Sequence, residues 1–487
     1  MFPPTTDARA ADEDAPAPPI SVPEIDEGEG ERGRLMMVVQ LMKKAFGVKD
    51  IADMRISFPA SLMVPIPNLE FMHFLDRPDM FVAINDCDDP FERILALVRF
   101  TFSKDLKYMR AKFGKPYNSI LGEHFRAHWD VVPAKPPLQF TPIPPVPSST
   151  DTASVNSRRS SKSTRSAISS FSKTGKSPSA AATLARSNEH VRVIYLTEQV
   201  SHHPPVSAYY AACPSRSLEM YGIDHIYVKI SGTALRVTPG SYNKGIFVNI
   251  TGGLGAGEEY KITHPAAFVN GLLRGSMYAT MGDSTIISCT RTGGKQRFRA
   301  IIDYKQEPWL GRAHYLVEGV IHTVVEGETQ HNEWTKVKHV PQTRVVAVFD
   351  GSWRGRIRWR PSAAKEEEWS TLIDLSTLES LPKRVRPLEK QLPRESRRLW
   401  ENLTAKLLRK EYSDATREKV AIEQRQRDEA AERKRKKGPA CDRSVPCYFE
   451  KDMDKGHSTL TAAGRHAVEE ELQEPSKYDI EDPSLVT

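Results

Sequence analysis

The chain lacks any run approaching the roughly 18 consecutive apolar residues that a membrane-crossing helix requires. Its first residues, MFPPTTDARAADEDAPAPP, are acidic and proline-rich without an apolar core, so no secretory leader is expected. Cysteine is scarce. The five present (Cys87, Cys213, Cys289, Cys441 and Cys447) form no C-x-x-C pair, which argues against a disulfide framework or a zinc site and suggests free thiols in a reducing compartment. No internal repeat is evident. G-x-S-x-G and H-E-x-x-H are missing, and no paired carboxylates stand beside a histidine, so an enzyme is not expected.

Charge is present but uneven. The formal net charge is +7, of which residues 151–190 contribute +5. A local basic tether fits this better than a nucleic-acid-binding body, because no base-reading module accompanies the charge. Hydrophobic residues make up 39% and aromatics 8%, enough for a sizeable core.

Residues 1–33 have the composition of a disordered tail. Arg34–Gly47 places Met37, Leu41, Met42, Ala45 and Phe46 at helical spacing, with Gly47 suited to the C-cap. Phe58–Glu70 is apolar but broken by three prolines, so neither a regular helix nor a central strand fits it. Such an extended apolar segment must cover something greasy. Asp89–Lys107 reads as a helix, and Lys115–Val131 as a turn followed by a strand. The proline-, serine- and base-rich stretch 133–190 reads as a disordered insertion.

From Val191 to about Trp359 the chain is a series of β-branched and aromatic runs separated by turn residues, the pattern of an antiparallel barrel or sandwich. After Pro393 two helices are expected, broken near Tyr412–Asp414. The fold class is therefore mostly β with α: a large antiparallel sheet with N-terminal and C-terminal helical parts.

Within this frame the string Glu198-Gln199-Val200-Ser201-His202-His203-Pro204-Pro205 follows directly on a strand. Adjacent strand side chains face opposite ways, so two neighbouring histidines do not ordinarily form one ligand set. The prolines end the strand and can turn both rings to one side, where imidazole N–H groups suit phosphate oxygens.

EQVSHHPP resembles the signature of the oxysterol-binding-protein-related lipid-transfer family. KPYNSILGE (Lys115–Glu123), ESRRLW (Glu395–Trp400) and the spacing Lys419, Glu423, Arg427 fit the same family in the same order, over roughly residues 35–450. The resemblance implies a near-complete antiparallel β-barrel around a central apolar tunnel, with an N-terminal helical lid and a C-terminal helical subdomain. On that basis 34–110 would hold the lid and first helices, 115–360 the barrel, 394–437 the C-terminal helices and 451–487 a tail. It also implies exchange of one lipid, a sterol or phosphatidylserine, for phosphatidylinositol 4-phosphate between membranes.

The headgroup ligands so implied are His202, His203, Lys115, Asn118, Lys419 and Arg427, with Glu423 orienting the cations. Lid contacts would come from Phe58, Leu62, Met63, Ile66 and Leu69. No metal or cofactor is implied beyond the bound lipid. Anionic membrane surfaces are the expected partners, approached in part through Arg433–Lys437. A monomer is expected, with a cytoplasmic location, peripheral to membranes such as Golgi or endoplasmic reticulum contact sites. The other reading is a sensor or scaffold that binds lipid without moving it.

Two departures stand out: Ser119 where many relatives carry proline, and a C-terminal block reduced to Val445–Phe449. Taken without the resemblance, Lys419, Glu423 and Arg427 read as a solvated helix face, and Lys115 and Asn118 as ordinary turn chemistry.

Overall fold

The structure, a computed structural model, describes residues 20–21, 56–57, 60, 63–110, 115–135, 189–435 and 446–474, except 233, 272–277, 292–296 and 309–311. The expected helix at Arg34–Gly47, the lid positions Phe58 and Leu62, Cys441, and most of the 133–190 insertion lie outside these residues.

Ile20–Ser21 (β1) and Ile56–Ser57 (β2) form a minimal parallel pair. Met63–Pro67 (β3) pairs with Lys115–Tyr117 (β4), again in parallel and with an irregular register. The prolines of β3 are compatible with this because the pair has no central strand. Asn68–Phe71 (α1), Pro78–Val82 (α2), Pro90–Ser103 (α3) and Lys107–Arg110 (α4) follow β3 in the N-terminal part.

The main sheet begins with His124–Val131 (β5), Val191–Ser201 (β6), Val206–Cys213 (β7) and Leu218–Asp224 (β8). Ile226–Ser231 (β9) and Ala234–Pro239 (β10) leave it for a smaller sheet. Ile246–Ile250 (β11) and Glu259–Ile262 (β12) return to it. Ala266–Asn270 (β13) and Tyr278–Gly282 (β14) join the smaller sheet, and Ser284–Arg291 (β15), Arg297–Tyr304 (β16) and Leu316–Val324 (β17) resume the main one. Val345–Ser352 (β18), Arg356–Pro361 (β19) and Ser370–Asp374 (β20) complete it, so the barrel runs past the expected end at 360.

The result is a 12-stranded antiparallel sheet in the order β20-β19-β18-β17-β16-β15-β12-β11-β8-β7-β6-β5, beside a 4-stranded sheet β14-β13-β10-β9. It is a near-complete barrel that is not closed strand to strand. Alternation sorts its residues into two faces. Trp129, Val193, Tyr195, Tyr209, Met220, Val248, Ile287, Ala300 and Ile302 belong to the inner core. Leu196, Val200, Ala208 and Ile223 point outward and pack under Tyr448, Phe449 and Ala467.

Helix α3 packs into this interior. Asp89 caps it by accepting from the Phe91 N–H, and Pro90 opens it, both ordinary starting chemistry. Arg93, Ile94, Leu95, Ala96, Leu97, Val98 and Phe100 are all buried. Phe91 meets Phe298 and Trp359, and Phe102 meets Phe349. A fully buried Arg93 is tolerable because Glu258 accepts from its Nε at 2.7 Å and its Nη2 at 2.5 Å.

The C-terminal part holds Ser396–Leu399 (α5), Glu401–Leu408 (α6) and Tyr412–Arg435 (α7). The break falls at Arg409–Glu411, slightly before the expected place, with Lys410 in the left-handed region at φ 61°. Beyond residue 450 the chain is not simply a tail. Ala462–Gln473 (α8) lies on the outer face of β5 and β6, where Glu471 meets His128 Nδ1 at 2.6 Å and Glu470 accepts from Arg126 at 2.9 Å. The run Glu469–Glu471 in AAGRHAVEEELQ hides this packing, since two of these carboxylates are held by ion pairs with Arg126 and Arg386.

Candidate functional site

β6 ends at Ser201, and His202-His203-Pro204-Pro205 form the turn into β7. Both rings, half-buried, lie together, centroids 4.4 Å apart and planes inclined by 38°. The residues before the turn brace it. Gln199 Oε1 accepts from Ser207 Oγ at 2.8 Å while its Nε2 donates to the Ser201 carbonyl at 2.6 Å. Glu198 is buried and accepts the backbone N–H groups of Cys447, Tyr448 and Phe449 at 2.7, 2.8 and 3.2 Å. The shortened C-terminal block thus serves as the outer clamp of the histidine turn.

Helix α7 carries a buried stripe of Ala415, Lys419, Ile422 and Gln426, of which Ala415 and Ile422 pack with Tyr117, Trp400 and Leu403. The spacing of four, three and four residues puts the stripe on one face. Lys419 is only 4% exposed, unlike a solvated helix lysine, and pairs with Glu423 at 3.3 Å. Gln426 Nε2 lies 2.7 Å from His202 Nδ1 and ties the helix to the turn.

Lys115 approaches from β4, and its side chain donates to Asn118 Oδ1. Burial and the nearby Lys419 ammonium lower its pKa from 10.5 to about 8, with Glu423 acting in the opposite sense. Two ammonium groups are therefore held together with one carboxylate, an arrangement that favours an anion. Arg427 stands apart from this pairing: its Nε and Nη2 donate to Gln424 Oε1 at 3.1 and 2.8 Å rather than to Glu423.

The described lid positions divide in two. Met63 and Ile66 sit half-buried on β3, where Met63 is in register with Lys115 and Pro67 with Tyr117. Leu69 is part of the main core, and its neighbour Glu70 is clamped by Arg397 at 2.6 Å and Lys383 at 3.4 Å. The Asn68–Glu70 end is thus fixed to the ESRRLW block, and a moving cover would have to lie before it.

A second polar group, absent from the sequence reading, lies inside the barrel. Asp224 shares the inward face of β8 with Leu218 and Met220. Around it stand Tyr209 of β7, His264 after β12, and Lys104, Asp105 and Lys107 from the turn between α3 and α4. Burial, and then Asp105, raise the Asp224 carboxyl to about 6. Burial and Lys104 lower His264 to about 3, so its ring is neutral. Phe74 packs on both Tyr209 and His264, at 5.3 and 5.4 Å. Among the described residues Tyr209 Oη and His264 Nε2 have no hydrogen-bond partner. Gly222 makes room here, since a Cβ would lie 2.3 Å from Tyr209 Oη. Asp224 ends a strand, LEMYGID, that already carries Glu219, so the sequence alone does not single it out.

Among the described residues there is no cluster of three or more His, Cys, Asp and Glu placed to hold a metal, and no helix is long and apolar enough to cross a membrane. A helix-plugged antiparallel barrel with a cationic cleft at a strand turn defines a lipid-binding β-barrel domain. The family model for oxysterol-binding protein matches residues 37–471, and the chain belongs to that family.

It is 35% identical to oxysterol-binding protein-like protein 1 of Schizosaccharomyces pombe, over 93% of each chain. It is 27% identical to human oxysterol-binding protein-related protein 10, covering 79% of this chain and 42% of that one. The chain thus spans less than half of the human relative. Among solved structures, the Osh1 ORD domain in complex with cholesterol superposes with a TM-score of 0.56 at 17% identity, covering 91% of this chain and 90% of that one. The Osh3 ORD of Saccharomyces cerevisiae in complex with PI(4)P gives 0.55 at 14% identity, covering 89% and 93%. The fold is shared with both.

Proposed function

We propose that this protein extracts a single lipid into the barrel and exchanges it for phosphatidylinositol 4-phosphate between membranes, without chemical conversion. The observation that carries this is that one buried face of α7 brings Lys419 close to Lys115 and, two turns further on, Gln426 onto His202. Paired ammonium groups with Glu423 beside them gain when a multiply charged phosphate joins them, and imidazole N–H groups add directed hydrogen bonds. Asn118 holds Lys115 in place. Arg427 reaches the headgroup by rotating away from Gln424.

The apolar body of the cargo is accommodated by the inner core, at about 0.8 kcal/mol per buried CH₂. Asp224, with the unpartnered Tyr209 hydroxyl and His264 nitrogen, supplies partners for a lipid that ends in a hydroxyl. A sterol, with one small hydroxyl, fits these partners. The relatives crystallised with cholesterol and with PI(4)P are consistent with both halves of the exchange. Contact with anionic membranes through the basic C-terminal helix, peripheral membrane location and a cover formed by the chain before Asn68 belong to the same reading.

The test is extraction. Protein re-isolated from liposomes containing phosphatidylinositol 4-phosphate, sterol and phosphatidylserine is examined by mass spectrometry, beside His202→Ala/His203→Ala. Recovery of unchanged phosphoinositide by the wild type only, with sterol extracted by both, is the expected result. Extraction of nothing by the wild type would leave a sensor that reads lipid in the membrane.

A further inference from the structure

The hydrogen bond between Gln426 and His202 bears on which proton the imidazole offers. An amide nitrogen only donates, so the 2.7 Å contact from Gln426 Nε2 makes His202 Nδ1 the acceptor. A neutral ring whose Nδ1 accepts must carry its proton on Nε2. We propose that Gln426 is a positioning residue that holds His202 in the Nε2–H form, so that the neutral ring presents a donor to the headgroup phosphate.

The surroundings support this assignment. Gln426 is 8% exposed and lies on the same buried stripe as Lys419 and Ile422, so its amide is held against the turn by the packing of the helix. The charged and titratable groups of the site are Lys115 from β4, Lys419, Glu423 and Arg427 from α7, and His203 beside the ring. With Nδ1 engaged by a donor, a second proton has to displace the amide. Recognition of phosphate therefore does not wait for the ring to become imidazolium, and stays level on the acid side of neutrality.

This inference rests on the headgroup reading above, and the experiment separates the two. Full-length protein labelled with ¹⁵N-histidine is examined by long-range ¹H–¹⁵N correlation at neutral pH, the His202 signals being identified by their loss in His202→Asn. The wild type is expected to show the Nε2–H tautomer without any lipid present. Gln426→Leu is expected to give a mixture of tautomers and about a five-fold loss of binding to phosphatidylcholine vesicles containing phosphatidylinositol 4-phosphate, the size of one hydrogen bond. Gln426→Glu offers an acceptor instead, so it should move the proton to Nδ1 and make binding strengthen as pH falls below neutral.

A wild-type ring in the Nδ1–H or imidazolium form overturns the inference, and that spectrum decides even where a variant fails to fold. An unchanged tautomer and unchanged affinity in Gln426→Leu would overturn it too. If the wild type shows Nε2–H but binds no phosphoinositide vesicle, the headgroup reading fails while the role of Gln426 in setting the tautomer stands.

Discussion

Lys115 couples the site to pH from the alkaline side. With its pKa near 8, it begins to lose charge in the free protein just above neutrality. An anionic headgroup stabilises the charged form, so binding takes up a proton and weakens as pH rises through about 8. Lys115→Arg stays charged throughout this range, and affinity for phosphatidylinositol 4-phosphate vesicles measured from pH 7 to 10 should lose that decline. Glu123, of the same sequence block, is fully buried and accepts from Ser396 Oγ at 2.7 Å and the Ile120 N–H at 3.0 Å. Burial raises it from 4.5 to about 7. The folded chain thus keeps a proton that the unfolded chain releases between these values, so this group makes stability fall as pH rises across that window and leaves it flat above. Glu123→Gln should remove that part of the slope in urea titrations at several pH values.

Ser119, the departure from the family pattern, is 6% exposed and its hydroxyl has no hydrogen-bond partner among the described residues. Ser119→Ala should raise stability by about 1 kcal/mol in the same titrations. At this scale His202 and His203 stood out because a rare string carries them, whereas Lys115 and Lys419 read alone as turn chemistry and a solvated helix face and entered only through the resemblance. Gln426 did not stand out, although the buried spacing Ala415, Lys419, Ile422, Gln426 is a helical face that the sequence contains. The charged residues along the rest of α7 mask it.

The element that assembles the site is α7, and Trp400 supports it. Trp400 stacks near Tyr117 with ring centroids 5.2 Å apart and shares a core with Ile120, Leu403, Leu407, Ala415 and Ile422. Trp400→Ala should cost about 3 to 5 kcal/mol and loosen α7 from β4, so headgroup binding falls more than sterol extraction does. Helix α3 is held differently. Removing one member of the Arg93–Glu258 pair leaves a buried charge without its partner, and Arg93→Ala should cost about 3 to 5 kcal/mol in the same urea titrations. Helices α3, α6 and α7 were readable from their residue pattern, whereas α8 was read as part of a tail. The strand β7 was harder, because VSAYYAAC contains more small residues than β-branched or aromatic ones and took its place from pairing with β6 and β8. The polar row at Asp224 was equally hidden, since only the register of β8 shows which way that carboxylate faces.

Across the whole molecule the sheet begins at β5 and ends at β20, and these two strands do not pair with each other. The outer edge of β5 is met by the irregular chain that follows β20. The His128 and Arg384 backbones exchange hydrogen bonds at 3.0 and 2.8 Å, and the His124 N–H donates to the Arg394 carbonyl at 3.1 Å. The series of strands was legible in the sequence; this junction was not, because residues 375–395 carry no strand pattern. Its consequence concerns girth. A barrel closed by continuous ladders has a circumference set by strand number and stagger, whereas a wall closed by a few bonds from a loop has an expansion joint. Under the exchange proposed above, such a joint would let one container fit a rigid four-ring cargo or a two-chained one while the other strands keep their register.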